Sequence, residues 1–516
     1  MKTIAIVLSL LALASCAGSG ASGNEVTGQG GVAPFDTGVG GNASLPAGGG
    51  QSTPSFGGTR NGGAGGLSSA VTATTTNVGR GGTGSTDVGR GGTGSTDVGR
   101  GGTSSGGSAT GGRSSGGTAG NVSTGGSSTA GRTSTSPVAG APGDKWVGSW
   151  VTAQQLTEEA NKPPAPGLAQ NTLRQVVHTS IGGSRLRVRF SNEYGSSPIT
   201  LTKAAVAKSA GGHNISTGTS QSLTFDGKAS VTIAAKAAVY SDPFDFALEP
   251  LSNVAISILF GSTSNDVTGH PGSRATSYIQ SGDGVAAAAL TSPKSTDHWY
   301  VISGIDVLAD AATHAIVILG DSITDGRGST TNGNDRWPDA LARRLQANAT
   351  TKKIAVLNQG IGGNTILSGG LGPTALTRFD NDVLKQNGVS WLIVLEGVND
   401  IGGSSSTAVA TNLINAYEQF VTKAHAANIR VYGVPILPFS GNSYYSTAHE
   451  TARKTVNDWI RTPGNFDAVL DLDAAVRDPQ SPERLLSTYD SGDHLHLNPA
   501  GYQKMADAIA LTLFAL

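Results

Sequence analysis

The sequence predicts an α/β protein: a doubly wound parallel-sheet domain over residues 312–516, preceded by an all-β sandwich domain over residues 144–311. After residue 312, apolar strand-like runs alternate with amphipathic helical segments, which is typical of a parallel sheet covered by helices on both faces. Between residues 144 and 311, short runs of alternating polar and apolar residues are separated by turn signals, as in an antiparallel sandwich. The chain before them is dominated by Gly, Ser and Thr, and we expect it to be disordered.

The first 16 residues have the features of an export signal. Lys2 supplies a positive charge, and the apolar run Ile4–Leu13 that follows is too short to span a bilayer. The segment Leu13-Ala14-Ser15 directly precedes Cys16, the only cysteine, and resembles a bacterial lipoprotein cleavage box. The alternative is a plain secretory signal with an incidental cysteine. A single cysteine in an exported protein forms no internal disulfide, so we expect Cys16 to be lipidated.

A lipidated Cys16 implies a protein held at the cell envelope from outside the cytoplasm. By the same resemblance, Ala17, which is not an aspartate, favours the outer membrane if the source is Gram-negative. We therefore expect the protein at the outer membrane or the cell surface. Residues 17–143 are predicted to form a disordered Gly/Ser/Thr-rich tether. They contain a ten-residue repeat, which starts at Asp87 and again at Asp97 and has one aliphatic residue per unit. That is too few apolar residues for a solenoid core.

The charge of the chain limits its partners. With 35 basic and 36 acidic residues, the formal net charge is −1 at pH 7. Because there is no basic excess, we expect no nucleic-acid partner. The composition does not indicate an oligomeric state.

The predicted sandwich begins where large side chains return to the sequence. Its strands are predicted from the runs Lys145–Trp150, Arg185–Phe190, Val254–Phe260 and, as the last strand before the second domain, Trp299–Val307. Its four histidines lack metal-ligand spacing and are mostly expected to be ordinary surface or core residues: His178, His213, His270 and His298. Packing is also the expected role of its aromatic residues, with carbohydrate binding as the alternative for Trp146, Trp150 and Tyr194.

Strands and helices alternate in the predicted α/β domain. The strand predictions are Ala315–Leu319, Lys353–Asn358, Trp391–Glu396, Val431–Ile436 and Ala468–Leu472. The helix predictions are Trp337–Leu345, Asn412–Ala426, Ala452–Ile460 and a last helix with Asn498 as its N-cap and Pro499 as its first residue. Polar motifs follow the strands, at the edge where parallel sheets bind their ligands.

These motifs contain the groups that ester hydrolysis needs. Ser322, after the first strand, can act as a nucleophile, and His496, before the last helix, can accept its proton. Asp493, three residues before His496, can orient the imidazole. The backbone N–H of Gly363 and the side-chain amide of Asn399 can donate hydrogen bonds to an oxyanion.

Alternatives exist for neighbouring residues. Asp490 and His494, four residues apart, form a competing Asp–His pair. The same cluster could hold a metal, but no further ligands are grouped nearby in the sequence, so we expect no metal and no other cofactor. Asp325 and Asp400 are expected to brace loops through hydrogen bonds rather than to transfer protons.

Four segments resemble, in order, the four blocks of the SGNH hydrolase superfamily, also called GDSL esterases and lipases: Gly320-Asp321-Ser322, Gly363, Gly397-x-Asn399-Asp400 and Asp493-x-x-His496. The resemblance implies a catalytic triad of Ser322, His496 and Asp493. It also implies an oxyanion hole formed by the backbone N–H groups of Ser322 and Gly363 and by the Asn399 side chain. The preceding β-rich segment resembles the amino-terminal sandwich of some secreted bacterial members.

We therefore expect an exported serine ester hydrolase that works through an acyl-enzyme. The tethered, exported setting and the accompanying sandwich favour a polysaccharide O-acetyl ester as substrate, by analogy. The alternative within the superfamily is a lysophospholipase or arylesterase-type lipase. The alternative of another class is a catalytically idle surface protein that binds carbohydrate, against which the complete set of catalytic blocks argues.

Overall fold

The computed structural model describes residues 143–515 of the chain. The predicted export signal, Cys16 and the predicted tether up to residue 142 lie outside the described residues, as does Leu516. Over residues 143–515, no helix has both the length and the apolar character that crossing a bilayer requires.

Strands make up most of the regular structure between Lys145 and Ala309, as the sequence predicts. They are β1 (Lys145–Val151), β2 (Gln155–Leu156), β3 (Asn171–His178), β4 (Gly183–Ser191), β5 (Ile199–Lys208), β6 (Gln221–Ser222), β7 (Val231–Ile233), β8 (Ala238–Tyr240), β9 (Phe244–Leu248), β10 (Asn253–Phe260), β11 (Thr268–His270), β12 (Ser277–Ser281), β13 (Lys294–Thr296), β14 (Trp299–Tyr300) and β15 (Ile302–Ala309). Short 3-10 helices lie at Glu159–Asn161 and Thr217–Thr219.

These strands pair in antiparallel sheets. One sheet has the order β1-β15-β4-β8, with β9 also paired to β4. A second has the order β13-β12-β3-β10-β5-β6, with β7 also paired to β5, and a small sheet joins β14, β11 and β2. In β4 the alternate residues Leu186, Val188 and Phe190 are buried while the arginines between them are partly exposed. This is the period-two pattern of a strand with one covered face.

The predicted last strand of the sandwich, Trp299–Val307, is in fact two strands. Val301 has a φ of +66°, a conformation that β-branched residues rarely adopt, and the chain changes sheets there. β14 pairs with β11, whereas β15 pairs with β1 and β4. The break is hidden in the sequence because the residues on both sides of it are buried and apolar.

From His314 onward strands alternate with helices. The elements are β16 (His314–Gly320), α1 (Ser322–Asp325), α2 (Trp337–Ala347), β17 (Ile354–Gly360), α3 (Ala375–Phe379), β18 (Val389–Leu395), α4 (Val398–Gly402), α5 (Val409–Ala426), β19 (Arg430–Gly433), α6 (Thr447–Arg461), β20 (Ala468–Val469), α7 (Leu472–Val476), β21 (Arg477–Asp478), β22 (Ser481–Leu485) and α8 (Pro499–Asp507). A π-helical turn follows α3 at Asp380–Leu384, and a 3-10 helix lies at Leu511–Phe514.

The strands β16 to β20 form a parallel sheet in the order β17-β16-β18-β19-β20. The chain starts inside the sheet and extends in both directions, which is the doubly wound arrangement, so the predicted fold class is confirmed. Gly320 at the end of β16 lies beside Gly360 of β17 and Leu395 of β18. The polar segments that follow these three strands therefore meet at one edge of the sheet.

Two strands of this sheet are shorter than predicted. The predicted strand Val431–Ile436 ends at Gly433, because Pro435 has no N–H for the ladder and Asn457 of α6 accepts the Ile436 N–H at 2.7 Å. The predicted strand Ala468–Leu472 ends at Val469, and Leu472 already belongs to α7.

A continuous hydrophobic core runs from the sandwich into the α/β region. The Gly148 N–H donates to the Asn387 carbonyl at 3.0 Å, and the Val356 N–H donates to Ser180 Oγ at 3.1 Å. The two regions therefore share a buried interface that includes backbone hydrogen bonds. The boundary that we place between residues 311 and 312, in the segment joining β15 to β16, stays a prediction.

Candidate active site

The first polar segment follows β16 directly. Asp321 is the N-cap of α1, and its carboxylate accepts a hydrogen bond from the Ile323 N–H at 2.9 Å. Burial raises the pKa of the Asp321 carboxyl, which the bond from Ile323 opposes. Because Ser322 is the first residue of α1, its backbone is fixed on one side by the end of a buried strand and on the other by the helix.

The structure brings Ser322, His496 and Asp493 into one hydrogen-bonded chain. Ser322 Oγ lies 2.7 Å from His496 Nε2, and His496 Nδ1 lies 2.6 Å from Asp493 Oδ2. With a carboxylate beside Nδ1, the proton of a neutral imidazole belongs on Nδ1, and Nε2 is free to accept the Ser322 hydroxyl. Both Ser322 and His496 are buried, so their contact is shielded from water.

Asp493 is held by the loop before α8. Its second oxygen, Oδ1, accepts hydrogen bonds from the N–H groups of Leu495 at 3.1 Å and His496 at 2.8 Å. Burial by itself would raise the pKa of Asp493, but these bonds and the attraction of His496 outweigh it and hold the pKa well below its usual value. The carboxylate therefore stays ionised and can stabilise an imidazolium.

The competing pair is formed as well. His494 Nδ1 lies 2.6 Å from Asp490 Oδ2, but the His494 side chain is 53% exposed, whereas that of His496 is 7% exposed. Of the two histidines, His496 is the one that contacts Ser322. As for the metal alternative, no group of three or more His, Cys, Asp or Glu side chains within residues 143–515 is placed to hold a metal ion.

Gly363 lies in a tight turn after β17. The Asn364 N–H donates to the Ile361 carbonyl at 3.2 Å and closes a four-residue turn, in which Gly363 is the third residue with a φ of +70°. Residues with a side chain rarely adopt this φ, so the turn favours glycine. The N–H of the third residue takes no part in the closing bond, which leaves it for a ligand.

Asn399 lies in α4, just after β18, and its amide is held at both ends. Nδ2 donates to the Asn364 carbonyl at 2.8 Å, and Oδ1 accepts a hydrogen bond from the Tyr444 hydroxyl at 3.1 Å. This pairing fixes the orientation of the amide and leaves the second N–H of Nδ2 for an oxyanion. Because Asn364 directly follows Gly363, the same bond ties Asn399 to the turn that carries Gly363.

The model of the GDSL-like lipase/acylhydrolase family matches residues 318–504, a range that begins in β16 and ends in α8. It includes the five residues predicted for the triad and the oxyanion hole. This part of the chain is a GDSL-like lipase/acylhydrolase domain. The chain is accordingly a carboxylic ester hydrolase.

Solved structures similar to the chain include a G-D-S-L family protein from Desulfitobacterium hafniense, with 22% sequence identity, coverage of 38% of this chain and 97% of that chain, and a TM-score of 0.30. A lipase/acylhydrolase from Enterococcus faecalis has 20% identity, coverage of 38% and 93%, and a TM-score of 0.30. A catalytic mutant of an acetylxylan esterase from Geobacillus stearothermophilus has 20% identity, coverage of 38% and 91%, and a TM-score of 0.30. No curated protein matches the chain.

A buried arginine connects the strand ends beneath the site of the GDSL-like domain. Arg378 donates to the carbonyls of Gly320 at 3.0 Å and Gln359 at 2.6 Å, and to Asn364 Oδ1 at 3.0 Å. It also pairs with Glu396 at 3.3 Å. Burial raises the pKa of Glu396, and the charge of Arg378 opposes this rise. One guanidinium thus holds the carboxyl ends of β16, β17 and β18 together.

Asp325 and Asp400 brace the loops of the GDSL-like domain, as expected from the sequence. Asp400 accepts hydrogen bonds from the N–H groups of Ile366 at 2.8 Å and Leu367 at 2.9 Å. Asp325 accepts one from the Gly362 N–H at 3.1 Å. Both carboxylates therefore bind the segment after β17, on either side of Gly363.

Three residues that support this site carry no signal in the sequence. His270, grouped above with the ordinary histidines, is buried, and its Nε2 lies 2.9 Å from Asp325 Oδ1. Tyr444 and Arg378 fall outside the four motif blocks. Hydrogen bonds between residues far apart in the chain leave no local pattern, so the sequence alone does not identify them.

Proposed function

We propose that the GDSL-like domain hydrolyses carboxylic esters through an acyl-enzyme formed on Ser322. The observation that carries the proposal is the hydrogen-bonded chain of Ser322, His496 and Asp493 beside the donors at Gly363 and Asn399. A hydroxyl next to a buried imidazole, which is itself backed by an ionised carboxylate, is an arrangement that activates a serine nucleophile.

In this mechanism Ser322 Oγ attacks the ester carbonyl carbon while His496 Nε2 takes the hydroxyl proton. The negative charge that develops on the carbonyl oxygen is stabilised by the N–H groups of Ser322 and Gly363 and by the second amide N–H of Asn399. His496 then gives its proton to the leaving alcohol as the C–O bond breaks. Water, deprotonated by His496, attacks the carbonyl carbon of the acylated serine. His496 returns the proton to Ser322 Oγ as the acyl C–O bond breaks and the acid leaves, while Asp493 stabilises the imidazolium in both halves.

Turnover of p-nitrophenyl acetate by the full chain tests this mechanism. We expect the wild-type protein to release p-nitrophenol and the Ser322→Ala variant to lose almost all of that activity. Mass spectrometry of rapidly quenched wild-type protein should find an acetyl group on Ser322. Equal rates in the two proteins would contradict the mechanism, and a wild-type protein inactive on every ester would favour the idle carbohydrate-binding alternative.

Within ester hydrolysis we propose a carbohydrate O-acetyl ester as the substrate class, as the tethered, exported setting suggests. Enzymes that act on lipid aggregates need an exposed apolar surface to meet them. Between residues 143 and 515, the exposed large hydrophobic side chains are Leu156 and Leu371. Leu371 lies beside the site, where its N–H donates to the Gly363 carbonyl at 2.9 Å, but two leucines do not form a large apolar patch. Polar groups lie near Asp493 and His496, such as the exposed His494 and Arg327, which is 3.8 Å from Asp493. A hydrated sugar ester fits this surface better than a lysophospholipid aggregate.

A substrate panel distinguishes the two classes. Acetate release from acetylated xylan and pectin is compared with hydrolysis of lysophosphatidylcholine and of p-nitrophenyl decanoate, with Ser322→Ala as the background control. We expect a higher kcat/KM on the acetylated polysaccharides than on the long-chain and phospholipid esters. Equal or better turnover of the long-chain esters would contradict the carbohydrate assignment and favour the lysophospholipase alternative.

We also infer from the sequence that the enzyme acts outside the cytoplasm and is anchored through lipid on Cys16. The inference rests on the run Leu13-Ala14-Ser15-Cys16 and on the Gly/Ser/Thr-rich segment that separates it from the hydrolase. The Cys16→Ser variant should move from the membrane fraction to the soluble fraction, with its ester turnover unchanged. Membrane partitioning equal to that of the wild type would contradict the anchor.

A further inference from the structure

His270 connects the sandwich to the GDSL-like domain. It is the last residue of β11, and its Nδ1 lies 2.9 Å from the Ala153 carbonyl while its Nε2 lies 2.9 Å from Asp325 Oδ1. The side chain of His270 is 3% exposed and that of Asp325 is 2% exposed. The imidazole also stacks on Trp299, with ring centroids 5.9 Å apart. Its position and orientation are therefore fixed on three sides.

The partners of His270 satisfy both nitrogens of its ring. A carbonyl oxygen only accepts, so Nδ1 carries a hydrogen. The contact between Nε2 and Asp325 Oδ1 is also a hydrogen bond, so both ring nitrogens of His270 have a partner. Both side chains are buried, and a buried polar group without a hydrogen-bond partner is costly. Removal of His270 would leave the buried Asp325 without this partner.

Asp325 transmits this restraint to the turn that carries Gly363. It is the last residue of α1, the helix that begins with Ser322, and its Oδ2 accepts the Gly362 N–H at 3.1 Å. Gly362 directly precedes Gly363, the proposed donor to the oxyanion. One carboxylate thus fixes the turn relative to the helix that carries the nucleophile.

The backbone after His270 also lies close to the Asp325 carboxylate. A Cβ placed on Gly272 would lie 1.7 Å from Asp325 Oδ2. No side chain larger than hydrogen can be placed there without displacing the carboxylate or the loop. The sandwich therefore holds Asp325 through both a hydrogen bond and a close backbone approach.

We propose that His270 is a positioning residue for ester hydrolysis, which acts through Asp325 to hold Gly362 and Gly363 where the oxyanion forms. The sandwich then contributes to the reaction without touching the substrate. This inference rests on the proposed oxyanion role of Gly363. Its physical basis is that preorganised donors lose much of their effect when they are displaced by about 1 Å.

The test uses full-length His270→Leu and His270→Gln with p-nitrophenyl acetate. We expect His270→Leu to lower kcat by about 10- to 100-fold and to change KM by less than about 3-fold, because oxyanion donors act mainly in the transition state. His270→Gln should stay within about 5-fold of the wild-type kcat, since its Nε2 can still donate to Asp325. Binding of phenylboronic acid, whose tetrahedral adduct mimics the transition state, should weaken in His270→Leu by the same factor as kcat/KM.

Asn387→Ala is the matched control. Asn387 Nδ2 donates to Asp306 Oδ2 at 2.8 Å, so this residue also connects the GDSL-like domain to the sandwich. It lies just before β18, at the edge of the sheet opposite to the site. We expect the variant to have a lower Tm and an unchanged kcat.

Measured well below the Tm of each variant, an unchanged kcat in His270→Leu would overturn the proposal, since a purely structural residue would behave like Asn387. If His270→Leu does not fold, Gly272→Ala takes its place, because the added Cβ would displace the Asp325 carboxylate. An unchanged kcat in Gly272→Ala would equally overturn the proposal. Persistent turnover in Ser322→Ala would overturn the proposed function itself. This result distinguishes failure of the proposed function from failure of the positioning role of His270.

Discussion

Two aspartate–histidine pairs in one loop differ in burial and in their contact with Ser322. Asp493–His496 and Asp490–His494 have the same Oδ2–Nδ1 distance of 2.6 Å. His496 is buried and lies 2.7 Å from Ser322 Oγ, whereas the His494 side chain is 53% exposed. An Asp–His contact is therefore not enough. We therefore assign the base to His496, which contacts the proposed nucleophile and is shielded from water.

The backbone of the loop explains why both pairs exist. Asp493 Oδ1 accepts the His496 N–H at 2.8 Å, and Asp490 Oδ1 accepts the His494 N–H at 3.0 Å. Each aspartate thus closes a turn of its own, and the two turns overlap at residues 493 and 494. We interpret the turn closed by Asp490 as support for the turn closed by Asp493, which holds His496 against Ser322.

The largest effect should come from substitution of Ser322 or of His496. Ser322→Ala and His496→Ala should each lower kcat by roughly 10⁴- to 10⁶-fold, and the double variant should be little worse, because the two residues act as a unit. Steady-state turnover of p-nitrophenyl acetate measures all three. Losses that multiply in the double variant would show that the residues act independently.

A smaller effect is expected at the oxyanion donor. Asn399→Ala should lower kcat by about 10²- to 10³-fold, as removal of one such donor does elsewhere. KM should change little, which steady-state kinetics resolves. A variant that raises KM alone would place Asn399 in substrate binding instead.

Tyr444→Phe should have a milder effect on the same donor. Without the hydroxyl that holds Oδ1, the Asn399 amide keeps its bond to the Asn364 carbonyl but loses one of its two restraints. We expect kcat to fall by no more than about 10-fold. A loss as large as that of Asn399→Ala would show that Tyr444 has a direct part in the reaction.

The smallest effect should come from the Asp490–His494 pair. His494→Ala should keep kcat within a few-fold of the wild type, because His494 does not provide the contact to Ser322. Its effect on stability should also be small, since the His494 side chain is 53% exposed and Asp490 keeps its hydrogen bonds from the N–H groups of Gly492 and His494. Thermal unfolding and turnover of the same preparation check both statements.

The parts of the molecule that the sequence predicts are those with local patterns. Buried parallel strands leave continuous apolar runs, and Ser322 directly follows one of them. The three-residue spacing of Asp493 and His496 is likewise visible in the chain. The contact of His270 with Asp325 joins residues 55 positions apart, and the break at Val301 lies inside an apolar run. Long-range packing decides such features, so the sequence does not show them.

Labelling of Ser322 by a fluorophosphonate tests the central claim most directly, because the reagent reports on activation of the serine without requiring a particular substrate. Ser322 should be labelled rapidly in the wild type and in His494→Ala. In His496→Ala, labelling should be slower by roughly 10⁴-fold or more. Loss of labelling in His494→Ala, together with retained labelling in His496→Ala, would contradict the account and assign the base to the Asp490–His494 pair.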